Sequence, residues 1–527
     1  MLTTVLLTIV ILTGTAGELA ATHAMKQIGE VHHFSPRAIL GFLHRALRMG
    51  WMWIALALMT VSFFAMLAVL SSVDLSFAIP ATALSYAVGA LGARFVLRER
   101  VSAARWAGVS LVCAGVGLVC LGQSSLTDKI SRMGTLGEIS TASVFRALIL
   151  LGAALPLLYY GIAIVSAWRF FRRRTEAAEG FTPPASILKP VHGLDREAYE
   201  NFSSFCRQDY PDYEVLFCVS EQEDPAIPVI QKLIQDFPQR SIRLLVGAER
   251  LGANNKANKL CRLVREARHD LLVISDSDVR VDASYLRVVA APFQDPRVGA
   301  VTCLFRGNTS RQLGSELDSV GSSSDFNAGA VVAWQLQEVE FALGSTMATS
   351  RDRLREIGGF EALVDHHSDD YELGNRISAR GYRVELLPEP VWMIFPSQSL
   401  ADLFRHELRW AIGLRHIRPW GHAGLLLTFG LPWSLAAALV APVATWKAAC
   451  LAAYIGLRLS MAWMVGVWGL RDPLLGRRLW LIPLHDAQAF VIWLLSLFWN
   501  RIRWRGKEFY LRNGRLVPIL MDRGTGL

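Results

Sequence analysis

The chain alternates between long apolar blocks and one extended stretch of shorter period. Apolar segments at about 2–22, 51–71, 75–97, 102–122 and 146–168 open it, each near the roughly 20 residues that an α-helix needs to cross a bilayer. From about 182 to 420 the pattern becomes that of an α/β domain. ASILKPV, EVLFCVS, IRLLVG, DLLVISDSDV and VGAVTCLF are short apolar runs that predict strands, and PAIPVIQKLIQDF and NKANKLCRLVREA carry helical periodicity between several of them. That alternation predicts a parallel or mixed sheet covered by helices, with ligands bound beyond the carboxyl ends of its strands. Two further spans are predicted at about 424–443 and 449–470. A weaker segment at 480–499 contains His485, Asp486 and Gln488, and its apolar run AFVIWLLSLFW has only eleven residues. A run that short predicts a piece lying at the membrane interface.

These blocks divide the chain into a four-helix unit (1–122), a linker with a fifth helix (123–181), an α/β domain (182–420), and C-terminal spanning and interfacial helices with a short polar tail (421–527). Basic residues orient it. Lys26, Arg37, Arg45 and Arg48 lie in the first loop, Arg98, Arg100 and Arg105 follow the third segment, and RFFRRR ends the fifth. These share one side only with the N-terminus outside, so the positive-inside rule places everything after Arg174 in the cytoplasm.

Composition agrees. The 527 residues are 52% apolar and 19% charged, with a mean hydropathy of +0.31, which suits an integral membrane protein carrying a polar domain. The formal charge of +9 resides largely in arginines beside apolar segments. That placement suits anionic headgroups rather than nucleic acid. None of the seven cysteines makes a CxxC pair. They read as apolar packers in a reducing compartment, neither a disulfide framework nor a zinc site. The first segment lacks a basic leader and precedes further spans, so it is not read as a cleaved signal.

The chemistry concentrates in spaced acids. Asp276 and Asp278 form DSD at the end of the fourth apolar run. Two acids so spaced at a strand end can hold a divalent cation against a diphosphate, although DxD alone also occurs in solvated turns. Asp224, in CVSEQEDPA after the second run, can accept from a uracil NH or ribose hydroxyls; Glu221 is a nearby substitute, and a turn before proline is the plain alternative. SDDYELG offers Asp369 and Asp370 at a helix start, where a carboxylate can take a proton from an acceptor hydroxyl or Ser368 or Asp369 can cap the helix. One arrangement satisfies both, with Asp369 capping and Asp370 facing the site. His366 and His367 read as polar loop residues. LGANNKANK presents Lys256 and Lys259 on a Gly/Asn turn that could meet phosphate or simply start a solvated helix. HELRW supplies Arg409, suited to clamping a diphosphate, and Trp410, suited to stacking on a sugar or lining an acceptor entrance. Its surroundings also fit an amphipathic helix on the membrane.

Taken together, PASILKPVHGLD, EDPA, GANNKANKL, ISDSDVRV, GSTMATSRDRLREIGGF, SDDYELG, HELRW and WRGKEFYLRNGRLVP resemble, in this order, the ceramide glucosyltransferases of glycosyltransferase families 21 and 2 and their bacterial relatives, a hopanoid sugar transferase among them. The resemblance covers about 182–515. It implies a GT-A fold, a Rossmann-like mixed sheet embedded between transmembrane helices. It also implies a UDP-sugar donor, Mg2+ or Mn2+, a membrane lipid acceptor, and inversion at the anomeric carbon. Residue by residue, Asp224 becomes the nucleotide acid, Asp276 and Asp278 the metal and diphosphate acids, and Asp370 the base. Arg409 and Trp410 match the RW of a (Gln/Arg)xxRW motif, with His406 where Gln or Arg is expected. The bacterial relatives imply an inner-membrane protein with its catalytic domain in the cytoplasm. Glucose on ceramide, N-acetylglucosamine on a hopanoid polyol, and sugar on diacylglycerol or a polyprenyl carrier all stay open.

Residues 1–122 resemble the four-helix unit of EamA-like and small multidrug-resistance transporters, through GELAATHAMK and FVLRERVSAARWAGVSLVCAGVGLVCLG. The resemblance makes Glu18 the membrane-embedded acid of a transport unit that a homodimer or a partner subunit would complete, and a snorkelling acid is the alternative. The rival reading of the whole chain is a lipid transporter or flippase whose α/β domain binds a nucleotide-sugar as a regulator.

Overall fold

The computed structural model describes residues 2–28, 49–71, short pieces between 82 and 112, 141–173, 180–441, 443–504, 507–512 and 514–518. Most of the predicted third and fourth segments and of the first loop lies outside the described residues. The chain divides into two compact units, Met1–Ser140 and Thr141–Leu527.

In the first unit, helix Leu2–Ile28 packs on helix Gly50–Leu70. Ser62 donates to the carbonyl of Val10 at 3.0 Å. Small residues allow the approach, for a Cβ added at Gly17 would meet Met59 at 2.9 Å. Glu18 is exposed on its helix.

The second unit is built on an eight-stranded sheet ordered β3-β2-β1-β4-β7-β6-β8-β5. The strands are β1 Ala185–Pro190, β2 Tyr213–Val219, β3 Ser241–Val246, β4 Leu271–Ile274, β5 Val279–Arg280, β6 Val298–Asn308, β7 Met347–Ser350 and β8 Arg383–Ile394. β3, β2, β1 and β4 run parallel, β7 is antiparallel to both neighbours, and β6 and β8 are again parallel. The predicted Rossmann-like mixed sheet is borne out. The central strands were legible as continuous apolar runs because β1, β2 and β4 are buried along their whole lengths, as expected of strands covered on both faces.

Among the described residues, five helices are long and apolar enough to cross a membrane: Leu6–Met25, Gly50–Leu70, Phe145–Phe171, Ala444–Gly469 and Pro473–Ser496. On the third of these, Leu148, Leu151, Leu155 and Leu158 form an exposed stripe, while Tyr160, Ala163, Ala167 and Phe170 are buried against the unit's core. An apolar stripe left outside a packed core suits lipid.

Three sequence expectations change. The span predicted at 424–443 is two helices, Pro419–Leu427 and Gly430–Val440, bent by 42°. The interfacial segment at 480–499 overlaps a 24-residue helical stretch, Pro473–Ser496, in which the apolar run LWLIPL precedes His485 and Arg477 and Arg478 lie nearer its start. The polar tail is a three-stranded antiparallel sheet, β9 Arg501–Trp504, β10 Lys507–Arg512 and β11 Arg515–Pro518. Its buried Ile502, Phe509, Leu511 and Leu516 cluster with Ile412 of the HELRW helix. Apolar residues alternating with polar ones, and Gly514 at φ +74° in the turn, give it a hairpin's pattern.

Candidate active site

The site lies beyond the carboxyl ends of β1, β2 and β4. β4 ends at Ile274, and a turn carries Asp276 and Asp278 to β5. Lys189, near the end of β1, is fully buried beneath this turn. Its Nζ donates to the main-chain oxygen of Asp276 and lies 3.9 Å from the centre of the Phe205 ring. Burial pushes this ammonium down to about 7, against the pull of Asp276, Asp278 and Asp195.

The helix Asn255–Glu266 faces the turn. Asn254 caps it, accepting from the amides of Lys256 at 2.9 Å and Ala257 at 3.2 Å. The cap fixes the first turn, and from there Lys256 reaches Asp276 at 2.7 Å and Asp369 at 3.3 Å. Burial works against its charge, but Asp276, Asp369 and Asp370 outweigh it and raise its pKa.

Asp369 and Asp370 open the helix Asp369–Ala379. Asp369 accepts from Asn254 Nδ2 at 3.3 Å, and Asp370 accepts from the amides of Gly344 at 3.1 Å and Tyr371 at 2.8 Å. Both acids therefore face the cluster, which corrects the division into a capping Asp369 and a site-facing Asp370. Ser368 sits at the N-cap without a side-chain capping bond. Its hydroxyl lies 3.2 Å from His367 Nδ1 instead.

Burial raises the Asp370 carboxyl to about 6, with Asp369 adding to the effect and Lys256 opposing it. Burial likewise raises Asp278 to about 7, followed by the charges of Asp276 and Asp195. The Asp278 Oδ1 atom is buried with no hydrogen-bond partner. A carboxylate oxygen in that state beside a second acid fits a divalent cation, whose charge would reverse the local repulsion. Among the described residues no three His, Cys, Asp or Glu side chains group to hold an ion by themselves.

Asp224 is buried and spends its carboxylate locally, accepting from Gly193 at 3.0 Å and from Ala226 at 3.0 Å. It thereby fastens the loop after β1, which carries Asp195. Glu221 is exposed. Sequence reasoning missed Asp195, Lys189, Asn254 and Gly344. The signal for Asp195 was its place in HGLD just beyond a predicted strand end.

The HELRW helix, Leu400–Ile417, closes another side. Its Gly413 lies against His367, where an added Cβ would meet the ring at 3.2 Å. Burial and the charge of Arg409 push His367 down to about 4. Trp410 is 49% exposed and stacks on His406 with ring centres 6.2 Å apart. The loop before Asp369 is also tied to the small sheet, since Leu516 donates to the Asp365 carbonyl at 2.8 Å and His367 to the Gly514 carbonyl at 3.0 Å. His366 is more than a polar loop residue. It is buried and pairs with Glu372 at 3.3 Å.

Carboxylates from two distant parts of the chain, Asp276 and the pair Asp369 and Asp370, thus meet around Lys256 at the strand ends, in a unit with apolar helices of membrane-crossing length. A family model, Glycosyl transferase family 21, matches residues 148–517, and the chain belongs to that family. It is a glycosyltransferase. Among curated relatives, ceramide glucosyltransferase 3 of Caenorhabditis elegans is 24% identical over 361 residues, 64% of this chain and 74% of the relative. Ceramide glucosyltransferase 1 of the same organism is 26% identical over 230 residues, 43% of this chain and 49% of the relative. Among solved structures, the mannosyltransferase PcManGT from Pyrobaculum calidifontis, in complex with GDP-Man and Mn2+, aligns over 67% of this chain and 99% of its own at 21% identity, with a TM-score of 0.41.

Proposed function

We propose that this enzyme moves a sugar, with inversion, from a UDP-sugar to the hydroxyl of a membrane lipid at the cytoplasmic face. UDP-glucose and ceramide are the first pair to try, because relatives in the same family are named ceramide glucosyltransferases. The observation that carries the reading is the convergence of Asp276, Asp369 and Asp370 on Lys256 and Gly344.

Asp276 and Asp278 would hold Mg2+ or Mn2+ against the donor diphosphate. When bound, that ion supplies positive charge to the departing nucleotide. Lys256 and Arg409 meet the phosphates, and Asp224 orders the loop that receives the nucleoside. Asp370 takes the proton of the acceptor hydroxyl as its oxygen attacks the anomeric carbon. Its raised pKa suits a base working near neutrality. Trp410, half exposed, lines the entrance used by the lipid.

Membranes containing the protein, incubated with labelled UDP-glucose, ceramide and Mg2+, are expected to yield labelled lipid, and EDTA to abolish it. Asp370→Asn is expected to lower transfer by at least about a hundredfold, the scale of a lost general base, with membrane insertion intact. Near-normal turnover by that variant would remove Asp370 from the role.

A further inference from the structure

We propose that Lys256 is a built-in counter-ion standing in the place of the donor's cation, so that the divalent ion enters only together with the nucleotide diphosphate. The inference rests on the reading of Asp276 and Asp278 as the metal acids.

Lys256 bridges Asp276 at 2.7 Å and Asp369 at 3.3 Å, and three features hold it there. Its backbone is fixed by the Asn254 cap. Its stem is drawn in, leaving the side chain only 15% exposed. Gly344 walls the pair closely: an added Cβ would lie 2.5 Å from Asp276 Oδ2 and 3.3 Å from Lys256 Nζ. The same glycine ties both acid segments by its backbone, accepting from the Asp276 amide at 3.2 Å and donating to Asp370 at 3.1 Å.

A lone divalent ion approaching Asp276 therefore meets an ammonium already on that carboxylate, 2.7 Å away, and like charges so close repel. A diphosphate changes the balance. It brings new anionic oxygens to which Lys256 can turn, and Asp369 keeps the ammonium partnered while it leaves Asp276. Cation and diphosphate each favour the other's binding, and the coupling is reciprocal. A lysine that only binds phosphate would make no difference to the ion in the absence of nucleotide.

The test measures Mn2+ binding by the loss of its free-ion electron paramagnetic resonance signal, on the full chain in detergent, with and without UDP. Wild type and Lys256→Arg are expected to bind Mn2+ weakly alone and more tightly with UDP. Lys256→Met is expected to bind Mn2+ without nucleotide about tenfold tighter than wild type or more, the scale on which one adjacent charge moves an ionic equilibrium, and to respond less to UDP. Lys256→Gln must repeat the result, which guards against misfolding of the methionine variant, and size-exclusion profiles identify a misfolded one.

If both neutral variants bind Mn2+ no better than wild type without nucleotide, while wild type with UDP binds it and Asp278→Asn does not, the counter-ion role fails and the metal acids stand. If wild type with UDP binds no Mn2+, the metal reading fails and takes this proposal with it.

Discussion

The carboxyl of Asp370 sits between the like charge of Asp369 and the ammonium of Lys256, in surroundings that disfavour ionisation. A base must be ionised to accept a proton, so the acid limb of kcat is expected to bend near the raised value of about 6 and to fall about tenfold per pH unit below it. Asp369→Asn removes the like charge and is expected to move that limb toward lower pH. A limb that stays in place would mean that another group titrates in it. At this scale the sequence was readable where chemistry needs a residue type at a strand or helix end. Asp276, Asp278, Asp369 and Asp370 stood out for that reason. Their partners did not. Lys189 is buried beneath a turn and Gly344 acts through its backbone and its missing Cβ, roles that depend on non-local packing and leave no periodic trace. Asp224 was legible as an acid, but its use of two local amides was not.

The helix Leu313–Gly321 shows how an element can carry a hidden cost. Its Asp318 is 8% exposed and accepts from Gln398 Nε2 at 2.7 Å. Burial, then the facing carboxylate of Glu407, raises it to about 7, with His485 opposing. Folded, this acid holds its proton up to about 7, whereas unfolded it would release it near 3.8. Stability should therefore fall as pH rises between those values and stay reduced above them. Asp318→Asn is expected to stabilise the detergent-solubilised protein at about pH 8 by on the order of 2 kcal/mol, read as a raised unfolding temperature, and to do little at about pH 4. A gain independent of pH would point to packing instead of charge. Among whole elements, the strands and helices of the α/β domain were legible because each keeps one period over its length. The break at Thr428–Phe429 was not, because LLLTFGLPW is apolar on both sides of it and hydropathy does not register a 42° bend. The small C-terminal sheet hid behind its charge, since its polar residues alternate with the few apolar ones that dock on Ile412.

Within the unit Thr141–Leu527, the apolar helices and the sheet are joined by charged groups as well as by packing. Arg173, at the end of helix Thr141–Phe171, pairs with Glu385 of β8 at 2.8 Å, so part of what read as a membrane-flank cluster is a structural tie. A deeper tie is Arg458, only 2% exposed although it lies in the apolar helix Ala444–Ala462. It pairs with Asp486 of helix Ile482–Ser496 at 2.8 Å and donates to the carbonyl of Ser324 at 3.2 Å, in the π-helical stretch Ser322–Phe326 that precedes helix Asn327–Leu336. Tyr454 donates to the same Asp486 at 2.8 Å. Two C-terminal helices and the segment Ser322–Phe326 thus share one ion pair. Arg458→Met leaves the Asp486 charge buried without its partner, and is expected to cost about 3–5 kcal/mol. Asp486→Leu strands the guanidinium and should cost a similar amount. The double variant Arg458→Met/Asp486→Leu removes both charges, so its loss should be well below the sum of the two. Thermal unfolding of all four proteins in one detergent measures the cycle. Additive losses would show that the two side chains act separately.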